Sequence, residues 1–194
     1  MSTYKLANKV VAITGSTGGL GSALAEALHA RGARLALFDL QADRLTAQIR
    51  AFGRPSHALG WTADVRSFES LEAAMANAAD HFGQIDVVIA NAGVDTMAPM
   101  ATIDPAAFDR VIDINLNGVW RTFRAGLPHV QKQRGYLLAI SSMAAFVHSP
   151  LQASYTGSKA GVWAMCDSIR LELRHKRRPA RPLRNSGRPF RRLL

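Results

Sequence analysis

ITGSTGGLGSALAEAL, residues 13–28, sets four glycines between an apolar run and a stretch rich in leucine and alanine. The preceding run, KVVAIT (9–14), reads as a buried strand. LGSALAEALHARG (20–32) repeats Leu and Ala at helical spacing and stops at Gly32. Glycine at 15, 18, 19 and 21 permits a tight turn and lets the backbone approach a ligand without interference from Cβ atoms. The N–H groups opening the helix then face whatever the turn cradles, which suits a pyrophosphate. A strand before the glycines and a helix after them is the context that separates a nucleotide loop from an ordinary turn.

Outward from this unit, short β-rich runs alternate with helical patterns. RLALFD (34–39), HALGWTAD (57–64), IDVVIA (85–90) and GYLLAIS (135–141) read as further strands, several of them apolar almost throughout, as strands buried on both faces should be. SFESLEAAMANAADHFG (67–83) opens with Ser67 and carries Glu69 and Glu72 in its first turns, a helix N-terminus. Another helix follows Asp104-Pro105, with Gly126 and Pro128 expected to end or bend it. SYTGSKAG (154–161) reads as the start of a last helix. The alternation predicts an α/β fold: a doubly wound parallel sheet of Rossmann type in three layers.

The 194 residues, 48% hydrophobic and 20% charged, fit one domain. The opening MSTYKLANK has no apolar signal core. Cys166 is the only cysteine, so no intrachain disulfide can form and the cytoplasm is the expected setting. The six histidines form no cluster at metal-ligand spacing, and no metal site is expected. The net charge of +10 is local: residues 174–194 hold nine of the 24 Lys and Arg and no acid. The division is therefore a nucleotide-binding body over residues 1–173 and a basic tail over 174–194, expected to be disordered.

Asp39 ends the second strand 18 residues after Gly21. A carboxylate there accepts hydrogen bonds from the ribose hydroxyls of an adenosine and repels a 2′-phosphate. No Lys or Arg lies within residues 15–21, so NAD is favoured over NADP. A solvated strand-end aspartate is the alternative.

With TGSTGGLG (14–21), NAG (91–93), Asn115, Ser142 and Tyr155-x-x-x-Lys159 in this order, the chain resembles the short-chain dehydrogenase/reductase family over about residues 5–173. The spacing Gly15-x-x-x-Gly19-x-Gly21 is that family's form, and Ser142 precedes Tyr155 by its usual 13 residues. The resemblance implies a cofactor site of Gly15, Ser16, Thr17, Gly19, Leu20, Gly21, Asp39, the adenine-contacting pair Asp64 and Val65, Asn91, Ala92, Gly93, Tyr155 and Lys159. It implies an oxidoreductase moving a hydride between NAD(H) and a secondary alcohol or ketone, and a homo-oligomer where the full fold is present.

In that family reading Tyr155 is the general acid/base. A free tyrosine titrates near 10, too high for a base at neutral pH. One unit charge about 4 Å away, at an effective dielectric near 20, supplies on the order of 4 kcal/mol, or about three pK units. Lys159, one helical turn on, has that charge and by resemblance also bonds the nicotinamide ribose. Ser142 would donate to the substrate oxygen, with Ser141 the competitor for that role, and Asn115 would hold a water in a proton relay. Asn115 as a cap or kink, Ser142 as a plain strand-end serine and His148 as a solvated loop residue are the structural alternatives. The loop MAAFVHSPLQAS (143–154) should border the substrate, its Met143, Phe146, Val147 and Leu151 favouring a nonpolar alcohol or ketone unless they pack as core.

After LELRH (171–175) the resemblance stops. Family members continue with further strands and a lid, whereas KRRPARPLRNSGRPFRRLL has neither β nor helical period, so the C-terminal strands are expected to be missing and activity impaired. Two other functions stay open: a catalytically silent nucleotide-binding remnant, and a nucleotide-binding body whose tail docks on nucleic acid or an anionic membrane. The tail's single aromatic residue, Phe190, offers little base stacking and argues against nucleic acid.

Overall fold

In the computed structural model, which describes residues 4–53 and 56–176, five parallel strands form one sheet. They are β1 (Val10–Thr14), β2 (Arg34–Asp39), β3 (Ala58–Thr62), β4 (Val87–Ala90) and β5 (Tyr136–Ala139), in the order β3-β2-β1-β4-β5. The helices are α1 (Gly19–His29), α2 (Ala42–Ala51), α3 (Phe68–Phe82), α4 (Pro105–Ile112), α5 (Gly118–Lys132) and α6 (Ala153–Lys176). The chain winds outward from β1 to β3, then returns to lay β4 on the other flank of β1, with Ile13 opposite Ile89. That reversal opens a crevice at the C-terminal ends of β1 and β4, where ligands bind in such sheets.

Alternate residues of the central strands serve two cores. Val10, Ala12, Phe38 and Val88 pack with Leu71 and Met75 of α3 and Ala125 of α5. Val11, Ile13, Leu35 and Leu37 pack on the opposite face with Ala25 of α1 and Leu45 of α2. Burial on both faces is why these strands read as continuous apolar runs. A third cluster joins Ala90, Phe123 and Val162, seating α6 against α5. Ser67 caps α3 by accepting from the Ser70 N–H at 3.1 Å, and Asp104 caps α4 by accepting from Ala106 N–H at 3.0 Å.

Several expectations need correction. β3 and β5 are shorter than the apolar runs, so Asp64, Val65 and Ser142 sit in the loops beyond them. α2 is absent from the sequence reading, because ADRLTAQIRA carries two arginines and one fully enclosed apolar residue, Leu45. Gly126 and Pro128 do not end α5, which runs to Lys132. A Cβ on Gly126 would come within 2.7 Å of Val88 Cγ2, so this glycine lets α5 approach the sheet. Pro128, near the helix end, forfeits the bond to the Arg124 carbonyl without terminating the helix. The interruption lies earlier, where Asp113–Asn117 form a π turn between α4 and α5. α6 continues past residue 173 to Lys176, and the tail from 177 onward lies outside the described residues. Among the described residues, no helix is long and apolar enough to cross a membrane.

Candidate active site

The glycine loop leaves β1 through Gly15, whose φ of +64° only glycine adopts without strain. A Cβ on Gly21 would meet the Gly15 carbonyl oxygen at 2.2 Å, so α1 can start this close to the loop only with glycine there. Gly19 differs: nothing lies within 4 Å of its Cβ position, which leaves open space at the first turn of α1. That turn has no side-chain cap and no acidic residue, so its N–H groups face outward, with Leu20 54% exposed beside them. Open space, free donors and a first turn without an acidic side chain suit a phosphate ligand.

The loop is anchored from two sides. Asn91, just beyond β4, donates its amide to the carbonyls of Thr14 and Gly15, each at 3.0 Å. Its N–H and that of Ala92 reach Thr14 Oγ1 at 3.1 and 3.3 Å. Ser16 is fully buried and gives its hydroxyl to Gln48 of α2. Ser16 and the Asn91 amide thus both hold the loop in place. Asp39 accepts from the N–H groups of Thr17 (3.0 Å) and Gln41 (3.1 Å), which places its carboxylate at the loop's outer rim. Further along the strand ends, Arg66 grips both oxygens of Asp64 and holds that carboxyl below its usual range. Val65 packs on Gly118 of α5.

On the other flank of the crevice, α6 brings Tyr155 and Lys159 to one face. Lys159 Nζ lies 5.7 Å from the Tyr155 ring centre and donates to the Ile140 carbonyl at 2.9 Å. Its residue is only 4% exposed, and burial holds the ammonium below the usual lysine range. No carboxylate pairs with it among the described residues. A Cβ on Gly93 would sit 3.6 Å from Nζ, at ordinary contact distance, so this glycine lies directly beside the ammonium.

Ser141 and Ser142 now separate. Ser141 donates to the backbone of α6 at the Lys159 carbonyl, 3.3 Å away. Ser142 Oγ accepts from Ala144 N–H at 3.1 Å, leaving its proton available to a ligand. Asn115, at 0% exposure in the π turn, clasps Val94 by two bonds of 2.8 Å and donates to Ser158 Oγ at 3.2 Å. Ser158 in turn donates to the Tyr155 carbonyl at 2.7 Å. Any relay water at Asn115 must therefore use its backbone carbonyl or the remaining lone pair of Oδ1. Sequence reasoning missed Ser158, Gln48 and Arg44; the i, i+4 spacing of the last two was the available signal.

The loop after Ser142 is not core. Met143, Phe146, Val147 and Leu151 are 73%, 56%, 62% and 47% exposed, and Phe146 stacks edge-on against Trp163 at 4.8 Å. Ala98 N–H bonds the Leu151 carbonyl at 3.0 Å, and Gln152 bonds Asp95 at 2.5 Å, tying this loop to the one after β4. Together they form an apolar rim beside the start of α6, the helix that carries Tyr155.

Residues 9–177 match the family model described as short chain dehydrogenase. An acetoacetyl-CoA reductase of Synechocystis is 34% identical over 175 residues, covering 89% of this chain and 68% of the relative. A glucose/ribitol dehydrogenase-type structure from Brucella melitensis superposes with a TM-score of 0.84 at 32% identity, covering 89% of this chain and 72% of that one. An alcohol dehydrogenase from Thermococcus sibiricus, complexed with 5-hydroxy-NADP, gives 0.78 at 30% identity over 84% and 71% of the two chains. The curated relatives are longer: the chain spans from 50% to 73% of their lengths.

Proposed function

The chain belongs to the short-chain dehydrogenase family, and from that premise we propose that it transfers a hydride between NAD(H) and a secondary alcohol or ketone. When bound, the nicotinamide supplies the hydride donor or acceptor. This chain's residues do the rest. The first turn of α1 and the open space at Gly19 would receive the pyrophosphate, Asp39 the adenosine ribose, and the loop at Asp64 and Val65 the adenine. Lys159 would bond the second ribose. The observation that carries the reading is this buried ammonium, set beside the Tyr155 ring and paired with no acid among the described residues.

In reduction, Tyr155 would give its phenolic proton to the substrate oxygen, which Ser142 holds by a hydrogen bond. The Lys159 charge stabilises the negative charge left on the phenolic oxygen. In oxidation the proton moves the other way. Asn115 and Ser158 fix where Tyr155 and Val94 stand, so they position the site. The apolar rim favours a nonpolar substrate. Asp39 favours NAD over NADP, although one relative was solved with an NADP analogue. The lone thiol of Cys166 suits a reducing, cytoplasmic setting.

The test is to incubate the purified chain with NAD and a panel of apolar secondary alcohols and follow reduced nicotinamide. Turnover dependent on NAD, at an impaired rate, is expected. A chain that binds NAD but turns over no alcohol, and no ketone with NADH, overturns the catalytic part of the reading.

A further inference from the structure

α2 has two working faces. Leu45 and Ile49 press on the sheet at Gly60, where a Cβ would meet them at 2.6 and 2.8 Å. Arg44 and Gln48, one residue back in each turn, turn instead to the glycine loop. Gln48 makes a two-way bond with Ser16: its Oε1 accepts from the Ser16 hydroxyl at 3.0 Å and its Nε2 donates to the Ser16 carbonyl at 2.7 Å. Arg44 Nη2 donates to the Thr17 carbonyl at 2.8 Å, while Asp39 accepts from the Thr17 N–H. Ser22 of α1 adds a bond to the Ser16 carbonyl at 3.2 Å, and Ser16 N–H reaches the Phe38 carbonyl at 3.2 Å. The four backbone groups of two successive loop residues are thus all held, the N–H groups by β2 and the carbonyls chiefly by α2.

Glycines at 15, 18, 19 and 21 leave the loop many alternative shapes. A ligand that needs one of them binds in proportion to the fraction of molecules already in it. We propose that Arg44 and Gln48 are positioning residues that latch the glycine loop in its phosphate-receiving shape, so that α2 sets the affinity for pyrophosphate-bearing ligands. The proposal rests on the nucleotide-binding reading above and adds to it where affinity is determined. Gln48 is the stronger half, because Ser16 is enclosed and offers Gln48 both a donor and an acceptor. Arg44 is solvent-exposed, and water can replace its bond at small cost.

The experiment measures dissociation constants of NAD, ADP-ribose and adenosine for the wild-type chain and for Gln48→Ala, Gln48→Met, Arg44→Ala and Arg44→Gln. Amide hydrogen exchange across residues 10–22 is followed in the ligand-free proteins. Both Gln48 variants should weaken NAD and ADP-ribose about tenfold, leave adenosine within about twofold and speed exchange at residues 16–21 but not in β1. Arg44→Ala should weaken the same two ligands about threefold, and Arg44→Gln, which keeps a donor without the charge, should recover most of that loss. Equal weakening of all three ligands overturns the latch, because a general loss of structure does that. Unchanged NAD affinity in folded Gln48→Met also overturns it, whatever the exchange rates. A wild-type chain that binds none of the three ligands overturns the nucleotide-binding reading itself, and the latch with it.

Discussion

Two rows of side chains run across one face of the sheet, and their ends differ sharply. From β2 to β5 the first row is Leu35, Val11, Val87, Tyr136, with exposures of 0%, 0%, 9% and 48%. The second is Leu37, Ile13, Ile89, Leu138, at 0%, 0%, 5% and 46%. At β2, helices α1 and α2 cover these side chains; at β5, no described helix does. The opposite face of β5 is covered, since Leu137 and Ala139 pack with α5 and α6. The glycine loop therefore stands on a part of the sheet sealed on both sides. Ser142 and Tyr155 stand on a part sealed on one. In the proposed function, binding of the cofactor and turnover of the substrate would lean on differently supported halves of the molecule, and they should be separable.

The largest effect that would test this separation is in chemistry. Tyr155→Phe should lower kcat by roughly 10²–10⁴-fold while NAD affinity stays within a few-fold, because in the proposed mechanism only the phenolic oxygen would exchange the proton. Steady-state rates and NAD titration on the same preparation check both halves of the statement. Residual turnover near the wild-type level would remove Tyr155 from the acid/base role.

Next comes stability on the sealed side. Leu37→Ala empties a fully enclosed position and should cost about 2–5 kcal/mol in urea unfolding. At the loop's rim, Asp39→Ala should narrow or reverse the NAD preference by about tenfold, through lost ribose bonds and lost repulsion of a 2′-phosphate. Tighter binding of NADP than NAD by the wild-type chain would contradict that account.

Lys159 offers a smaller effect with a definite sign. Burial lowers its folded pKa below the usual 10.5, so between those two values the unfolded chain binds more protons. Stability of the ligand-free protein should then rise with pH through that window, and Lys159→Met should lack this rise. A flat profile in the wild type would mean that the ammonium is not desolvated. The smallest effect belongs to the open face. Leu138→Ala should cost less than about 1 kcal/mol, since much of that side chain already meets solvent. A cost matching Leu37→Ala would erase the contrast between the two ends of the rows.

Much of the fold could be read directly. Apolar runs bounded by turn residues marked all five strands, and Ser67 and Asp104-Pro105 marked two helix starts, because burial on both faces and capping chemistry leave local traces. α2 was passed over, since its low apolar content, with Leu45 its one buried residue, makes the segment read as a polar connection despite its amphipathic spacing. The π turn at Asp113–Asn117 has no residue signature, for it depends on how α4 and α5 meet. At the site, the positions of Lys159 and Tyr155 followed from helical spacing. The roles of Ser16, Asn91 and Asn115 as anchors did not, because a side chain's choice between ligand and backbone is made by neighbours distant in sequence. Asn115 and Ser158, for example, are 43 residues apart.

The clasp of Asn91 on Thr14 has a consequence for the order in which the protein is made. The two residues are separated by 77 positions, so the loop emerges from the ribosome long before the side chain that fixes it. At roughly 5–20 residues per second, the wait is on the order of 4–15 s. β1, β2 and β3 can pair in that interval, yet the hand-shaped turn between β1 and α1 remains unfinished until β4 arrives beside it. A growing chain should be unable to hold a dinucleotide until residue 91 has cleared the exit tunnel, however complete its first three strands are. The capacity to bind would then switch on late and abruptly during synthesis, timed by one asparagine.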